Sequence, residues 1–328
     1  MNQFQYIRPT ETASAVKALA KDPSAHFLAG GTNLVDMMKM GIVKPQRLVD
    51  INRLPLKTIN KTSTGLHIGA LATNSEVAEH SFVKEQFPLL SLAINAGASP
   101  QLRNMATVGG NLMQRTRCPY FFDTAMPCNK RMPGSGCGAL EGYNRMHALF
   151  GASDKCIAVN PSDMNVALAA LDATIHVSGP NGIRSIKIAD FHRLPGDQPE
   201  LDNTLKKDEL ITSVDLPSSP FNKNVYYLKI RDRTSYAFAL ISVAAALHIE
   251  NNTIAGARLA MGGGAHKPWR LTAAEDYLKG KPVNEDTFKQ AAQIAMQRAK
   301  AYQYNQFKLK LAPNAIIQSL KMASGLTS

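Results

Sequence analysis

Short apolar runs bounded by Gly, Pro and Asn alternate along this chain with segments whose apolar residues recur every three or four positions, a pattern of mixed strands and helices. Phe4 to Ile7 reads as a strand. A helix follows from about Thr10, with the Thr10 hydroxyl as its cap. Ser24 to Ala29 (SAHFLA) is a buried strand and LVDMMKMG (Leu34 to Gly41) a helix ending on a glycine suited to a C-cap. Pro45 to Ile51 is a further strand, so the first sixty or so residues form a βαββ-like unit.

A second unit begins near Ile59. Leu66 to Ala70 is a strand, Thr73 with Glu76 three residues on is a capping box, and Pro88 to Ala96 is an apolar helix. Gly97 to Leu112 reads as a turn region. After the cysteine-bearing segment come a helix (Met164 to Ala173), a strand (Thr174 to Val177), a hairpin turn at Gly179 to Gly182, and further strand-rich sequence at Ile186 to Phe191 and Glu209 to Leu216. PSSPFNKN (Pro217 to Asn224) is a linker. Beyond it, Val225 to Lys229, Ser242 to Glu250 and Thr253 to Met261 are strands, turning at Asn251-Asn252. Helices over Thr272 to Lys279, Glu285 to Tyr302 and from Asn314 cover the resulting sheet.

Length, composition and charge narrow the class. At 328 residues the chain suits two or three domains. An apolar fraction of 45% and a charged fraction of 19% are those of a soluble globular protein, and no apolar run reaches the ~18 residues of a membrane span. The start, MNQFQYIRPTETASAVKAL, carries no signal-peptide pattern, so the expected location is the cytoplasm, or the periplasm by co-export with a signal-bearing partner. The net charge of +12 comes from scattered Lys and Arg with no recognition motif. It points to an anionic cofactor or an acidic protein partner rather than nucleic acid.

Two stretches carry candidate chemistry. AGGTNL (Ala29 to Leu34) joins a buried strand to a helix. Its paired glycines permit close approach of a ligand, and Thr32 and Asn33 add donors beside the helix amides. The combination suits a pyrophosphate, yet it is neither the G-x-G-x-x-G fingerprint nor a P-loop. TVGGNL (Thr107 to Leu112) repeats these letters. One isolated Gly-Gly is most simply a tight turn; two with Thr and Asn neighbours ask for more.

All four cysteines fall in one segment, as Cys118-x9-Cys128-x8-Cys137-x18-Cys156. The absence of any C-x2-C knuckle counts against a zinc ribbon, and the ferredoxin run is missing too. Pro119, Pro127 and Pro133 with Gly134, Gly136 and Gly138 preclude regular structure, so something must order the segment. Arg115, Arg117, Lys130 and Arg131 bring positive charge to it. The residues alone leave a [4Fe–4S] cluster, zinc and no metal all open. The eight histidines show no paired ligand spacing, and no Ser/His/Asp or paired-carboxylate arrangement stands out; His266, in GAHKPWR, reads as support for a turn of the second domain rather than as a catalytic residue.

AGGTNLVDMM, TVGGNL, Ser162 to Met164 (SDM), YLKIRDRTSYAFALISVAAAL and RLAMGGGAHKPWR together resemble the FAD-binding medium subunits of molybdenum hydroxylases, over essentially the whole chain. Within that family the chain is most similar to the flavin subunits of bacterial periplasmic aldehyde oxidoreductases, which carry a comparable RCPYF…CNKR.PGSGC.ALEG…C segment. The resemblance implies an α+β fold: a two-part FAD-binding domain over 1–220 (subdomains about 1–58 and 59–220, cysteine insertion about 115–157), then a smaller α+β domain over 225–328. It implies that Phe27, Leu28, Ala29, Gly30, Gly31, Thr32, Asn33 and Leu34 wrap the FAD pyrophosphate. Ala106, Thr107, Gly110 and Asn111 would form a second wall and Asp163 would accept from ribityl or adenosine hydroxyls. Ile211 would pack on the flavin, with Lys229 near its ring. Cys118, Cys128, Cys137 and Cys156 would hold a [4Fe–4S] cluster close to the flavin, because the loop leaves and returns between two flavin-contacting stretches. No catalytic side chain is expected. The implied partners are a small [2Fe–2S] subunit, a large molybdenum-cofactor subunit and an external electron acceptor. Another molybdenum hydroxylase type, such as xanthine dehydrogenase or hydroxybenzoyl-CoA reductase, or a stand-alone flavin oxidase, is the alternative.

Overall fold

The computed structural model describes residues 1–326; the last two residues of the expected C-terminal domain lie outside them. Among the described residues, twelve strands build three sheets. The first contains β1 (Gln5–Ile7), β2 (Ala25–Leu28) and β3 (Arg47–Asp50), all parallel in the order β1-β3-β2. Parallel pairing requires a crossover after each strand, and helices Thr12–Ala20 and Leu34–Lys39 supply them. The unit is therefore βαβαβ. Thr10 does not cap the first helix: Glu11 occupies that position, without a side-chain bond. Gly41, just beyond the second helix, takes a left-handed conformation (φ 71°), as its reading as a terminator required.

The second sheet has the order β4-β5-β8-β6-β7, formed by β4 (Ile59–Lys61), β5 (Gly65–Gly69), β6 (Thr174–Gly179), β7 (Gly182–Lys187) and β8 (Leu210–Pro217), with antiparallel pairs throughout. More than a hundred residues separate β5 from β6. They hold helix Pro88–Ala96, the cysteine segment and helix Asp163–Ala170. The latter helix is buried along its entire length. The capping box at Thr73 forms as its spacing predicts.

The third sheet, β12-β11-β10-β9, comprises β9 (Asn224–Ile230), β10 (Ile241–Glu250), β11 (Thr253–Gly262) and β12 (Trp269–Arg270). Both residues of the Asn251-Asn252 turn have positive φ, the conformation Asn tolerates best after Gly. One face of this sheet packs Ala244, Ala246 and Ala260 against the core of the second unit, beside helices Pro88–Ala96 and Asp163–Ala170. The other face packs Val243, Ala245 and Leu259 under helices Thr272–Leu278, Glu285–Met296 and Lys308–Ser324. Small residues on both faces of β10 are what let two layers approach it at once. The last helix starts six residues before the expected Asn314, and it contains Pro313. That proline sits in the second turn of the helix.

Two expectations about irregular segments need correction. Gly97 to Leu112 is not all turn: Pro100–Arg103 and Val108–Leu112 are short helices, with Ser99 and Thr107 capping them by side-chain oxygens. In the cysteine segment, Pro119–Phe122 and Gly138–Glu141 are helical turns; Pro119 takes the first position of its helix, where proline is tolerated. Ile186 to Phe191 likewise is strand only to Lys187, and Ile188–Phe191 is helical.

Candidate functional site

The Gly30-Gly31 turn owes its glycines first to packing. A Cβ on Gly30 would stand 1.8 Å from the carbonyl oxygen of Met105, and Gly31 has φ 73°. No side chain can intervene, so the first turn lies directly against the Met105-Ala106 backbone. Two cavities open around this contact. One, of about 400 Å³, is lined by Phe27, Ala29, Gly30, Gly31, Thr32, Asn33, Leu34, Thr107, Gly110 and Ile211, together with Lys206 and Lys207. The other, of about 820 Å³, is lined by Thr32, Asn33, Ala106, Gly110, Asn111, Asp163 and Lys229. Thr32, Asn33 and Gly110 belong to both. Leu28 lines neither. Ile211 and Lys229, expected at one ring system, are in different cavities.

Asn33 sits at the junction with an unusual distribution of bonds. Its Oδ1 accepts from the Arg115 amide at 2.9 Å, which fixes the amide plane, and its Nδ2 is buried without a hydrogen-bond partner among the described residues. Leaving such a donor unpaired costs free energy. It fits a ligand acceptor at that point, such as a phosphate oxygen. On the second wall, Thr107 Oγ1 accepts from the Gly110 amide, and Asn111 Oδ1 accepts from both Gln114 Nε2 and Ser162 Oγ at 2.6 Å. Ser162 also caps helix Asp163–Ala170, so the stretches before and after the cysteine segment are tied to each other.

Asp163 and Lys229, both lining the larger cavity, form a buried ion pair. Tyr227 donates to the other carboxylate oxygen at 2.8 Å. Burial first, then the Asp163 charge, raises the Tyr227 phenol well above its ordinary range, so it remains a donor. Lys229 also donates to the Ala96 carbonyl at 3.0 Å.

The four cysteines are unpaired as disulfides and line one small enclosed space. Cys128 and Cys137 face each other across a two-strand bridge, and Asn129 fastens this bridge to Lys155, next to Cys156. Burial pushes the Cys118 thiol up to about 12 and the Cys156 thiol up to about 11. Among the described residues no three His, Cys, Asp or Glu side chains are arranged around a single metal ion. The cations predicted nearby are mostly engaged elsewhere. Arg115 and Lys130 pair with the partly buried Asp202, Arg117 with Asp36, and Arg131 with backbone carbonyls of the segment itself.

Two features escaped the sequence reading. His147 Nε2 lies 3.2 Å from Cys118 Sγ; the two are 29 positions apart with no motif linking them. On the open face of the second sheet, Ser185 Oγ, His176, Asp215 and His67 form a continuous chain of 2.9, 2.9 and 2.7 Å contacts, an arrangement the sequence reading had not seen. It arises because β7, β6, β8 and β5 are neighbours, an order that strand spacing alone does not reveal. His266, expected to support a turn of the second domain, is buried and bonded through Nδ1 to the Arg193 carbonyl of the first domain.

Known proteins place this architecture. Residues 2–219 match the family described as FAD binding domain in molybdopterin dehydrogenase, and residues 226–315 match the CO dehydrogenase flavoprotein C-terminal domain. The class is thus a two-domain flavoprotein. The chain belongs to the FAD-binding medium subunits of the molybdenum hydroxylases, and it is an oxidoreductase subunit. Its relatives include the aldehyde oxidoreductase FAD-binding subunit PaoB of Escherichia coli K12, 47% identical over 98% of this chain and 99% of that protein. The glyceraldehyde dehydrogenase medium chain of Sulfolobus acidocaldarius is 31% identical over 88% and 86%. Among solved structures, carbon monoxide dehydrogenase from Hydrogenophaga pseudoflava has the same fold, with TM-score 0.78, 23% identity and coverage of 100% and 99% of the two chains.

Proposed function

We propose that this chain is the FAD- and [4Fe–4S]-containing electron-transfer subunit of a molybdenum-dependent aldehyde oxidoreductase. Residues 1–220 serve as the FAD-binding domain and 225–328 as the C-terminal domain. A small [2Fe–2S] subunit delivers electrons from substrate oxidised on a large molybdenum-cofactor subunit, and an external acceptor removes them. Bound FAD supplies the electron acceptance and release, so the side chains bind and tune it.

The observation that carries this reading is that every residue implied for the flavin except Leu28 lines one of two cavities joined at Thr32, Asn33 and Gly110. A dinucleotide spanning that junction places a phosphate beside the unpaired Asn33 Nδ2 and its two ends in separate chambers. Lys229 then presents positive charge in the larger chamber, held by Asp163, where it favours an anionic reduced ring. For the cluster, the support is the convergence of four cysteines on one small space; burial disfavours ionisation of the Cys118 and Cys156 thiols, a cost that a bound metal would offset.

An optical spectrum of the purified complex, with iron and zinc counted per chain, tests this. Flavin bands with a broad iron–sulfur shoulder are expected; flavin alone removes the cluster, and neither removes both. In Cys128→Ser, unchanged iron, FAD content and turnover would sink the assignment of that ligand.

A further inference from the structure

His147 is held to an unusual degree for a residue in an irregular segment. Its carbonyl accepts from Asn305 Nδ2 at 3.1 Å and from Lys308 Nζ at 3.0 Å, both more than 150 positions away, and Lys308 also donates to Gly263 O at 2.9 Å. Asn305 and Lys308 are fully enclosed. The imidazole is buried as well, with Nδ1 lacking a partner among the described residues and Nε2 3.2 Å from Cys118 Sγ. A proton on Nδ1 would be an unsatisfied buried donor and would turn the Nε2 lone pair toward sulfur. The tautomer with Nε2–H avoids both, and it makes His147 the one side chain among the described residues that donates to a cysteine sulfur.

We infer that His147 is a positioning residue that sets the reduction potential of the cluster, donating Nε2–H to Cys118 Sγ from a backbone clamped by Asn305 and Lys308. The inference rests on the cluster reading above. An added electron increases negative charge on the sulfurs, so a fixed N–H dipole favours the reduced form and raises the potential. The bond is also on the side that matters. Cys118 and His147 line a cavity of about 140 Å³ that Asp163 also lines, and Asp163 in turn lines the larger flavin chamber. In this arrangement the C-terminal helix, which lines neither flavin cavity, tunes a redox centre through one histidine.

The test uses the assembled complex. Iron and acid-labile sulfide are counted first; their absence in wild type overturns the cluster reading and this inference with it. With the cluster present, an EPR-monitored redox titration of His147→Leu should show reduction disfavoured about tenfold, a fall of ~59 mV for one electron. His147→Gln keeps a donor and should recover part of that fall. An unchanged midpoint in His147→Leu at full iron content overturns the inference while the cluster reading stands. Pulsed EPR of the reduced wild-type complex, labelled with 15N-histidine and exchanged into D2O, needs no variant. A histidine nitrogen and an exchangeable deuteron coupled to the cluster are expected, and their absence equally overturns it.

Discussion

Lys229 Nζ lies 2.7 Å from Asp163 Oδ2, and the two side chains are only 3% and 8% exposed. One comes from the first strand of the C-terminal sheet and the other from the first residue of the central buried helix. Isolated, each charge would bear a large desolvation cost; together with Tyr227 and the Ala96 carbonyl they are satisfied.

Removing one partner should therefore cost more than removing both. Lys229→Met strands a buried carboxylate and is expected to destabilise by about 3–5 kcal/mol. The double variant with Asp163→Asn should regain most of that. Chemical denaturation of the four members of the cycle measures the coupling, and additive effects would refute it.

Gly30→Ala drives a methyl group into the Met105 carbonyl, which is backbone and cannot rotate away. The walls around the junction of the two cavities must separate. We expect a loss of about 3 kcal/mol and a chain that releases FAD on gel filtration. Retention of stoichiometric flavin would show that the junction tolerates the gap.

Asp202 supplies a pH dependence. Burial alone would raise its carboxyl, but Arg115, Lys130 and His266 outweigh burial and bring it down to about 2. A carboxylate with a depressed folded-state value stabilises fully above the unfolded value near ~4 and loses that contribution as pH falls toward about 2. The contribution is about 2 kcal/mol. Thermal unfolding of wild type and Asp202→Asn across this range should converge toward the acid end; parallel curves would contradict the assignment.

The Ser185–His176–Asp215–His67 chain has the order of a hydrolytic triad but stands on an open sheet face, with Asp215 43% exposed. It is expected to act as cross-strand support. Asp215→Ala should cost at most about 1 kcal/mol and leave FAD content and turnover unchanged. A fall in turnover at full cofactor content would assign it a chemical role.

Elements with strong local signals were legible in the sequence. The Thr73 capping box, helix Pro88–Ala96 and the Asn251-Asn252 turn follow from side chains within a few positions. The glycine turns were found by the same local logic, although it credited the ligand with what Met105 demands of Gly30, and it took a helix capped by Thr107 for a turn. What remained hidden depends on distant chain. Neither the Cys118–His147 contact nor the cavity shared by Asn33 and Gly110 can be read without knowing which strands adjoin, and Asp202 as counter-ion to Arg115 and Lys130 is 72 or more residues from both.

The carbonyl of His147 is capped by a lysine 161 positions downstream. During synthesis, the cysteine segment therefore emerges well before the side chains that complete its packing. Its final shape awaits the last two dozen residues, which bring Asn305 and Lys308 to the His147 carbonyl. Truncation ahead of Asn305 should yield a protein whose cysteine segment is cut readily by protease, while the full-length chain resists.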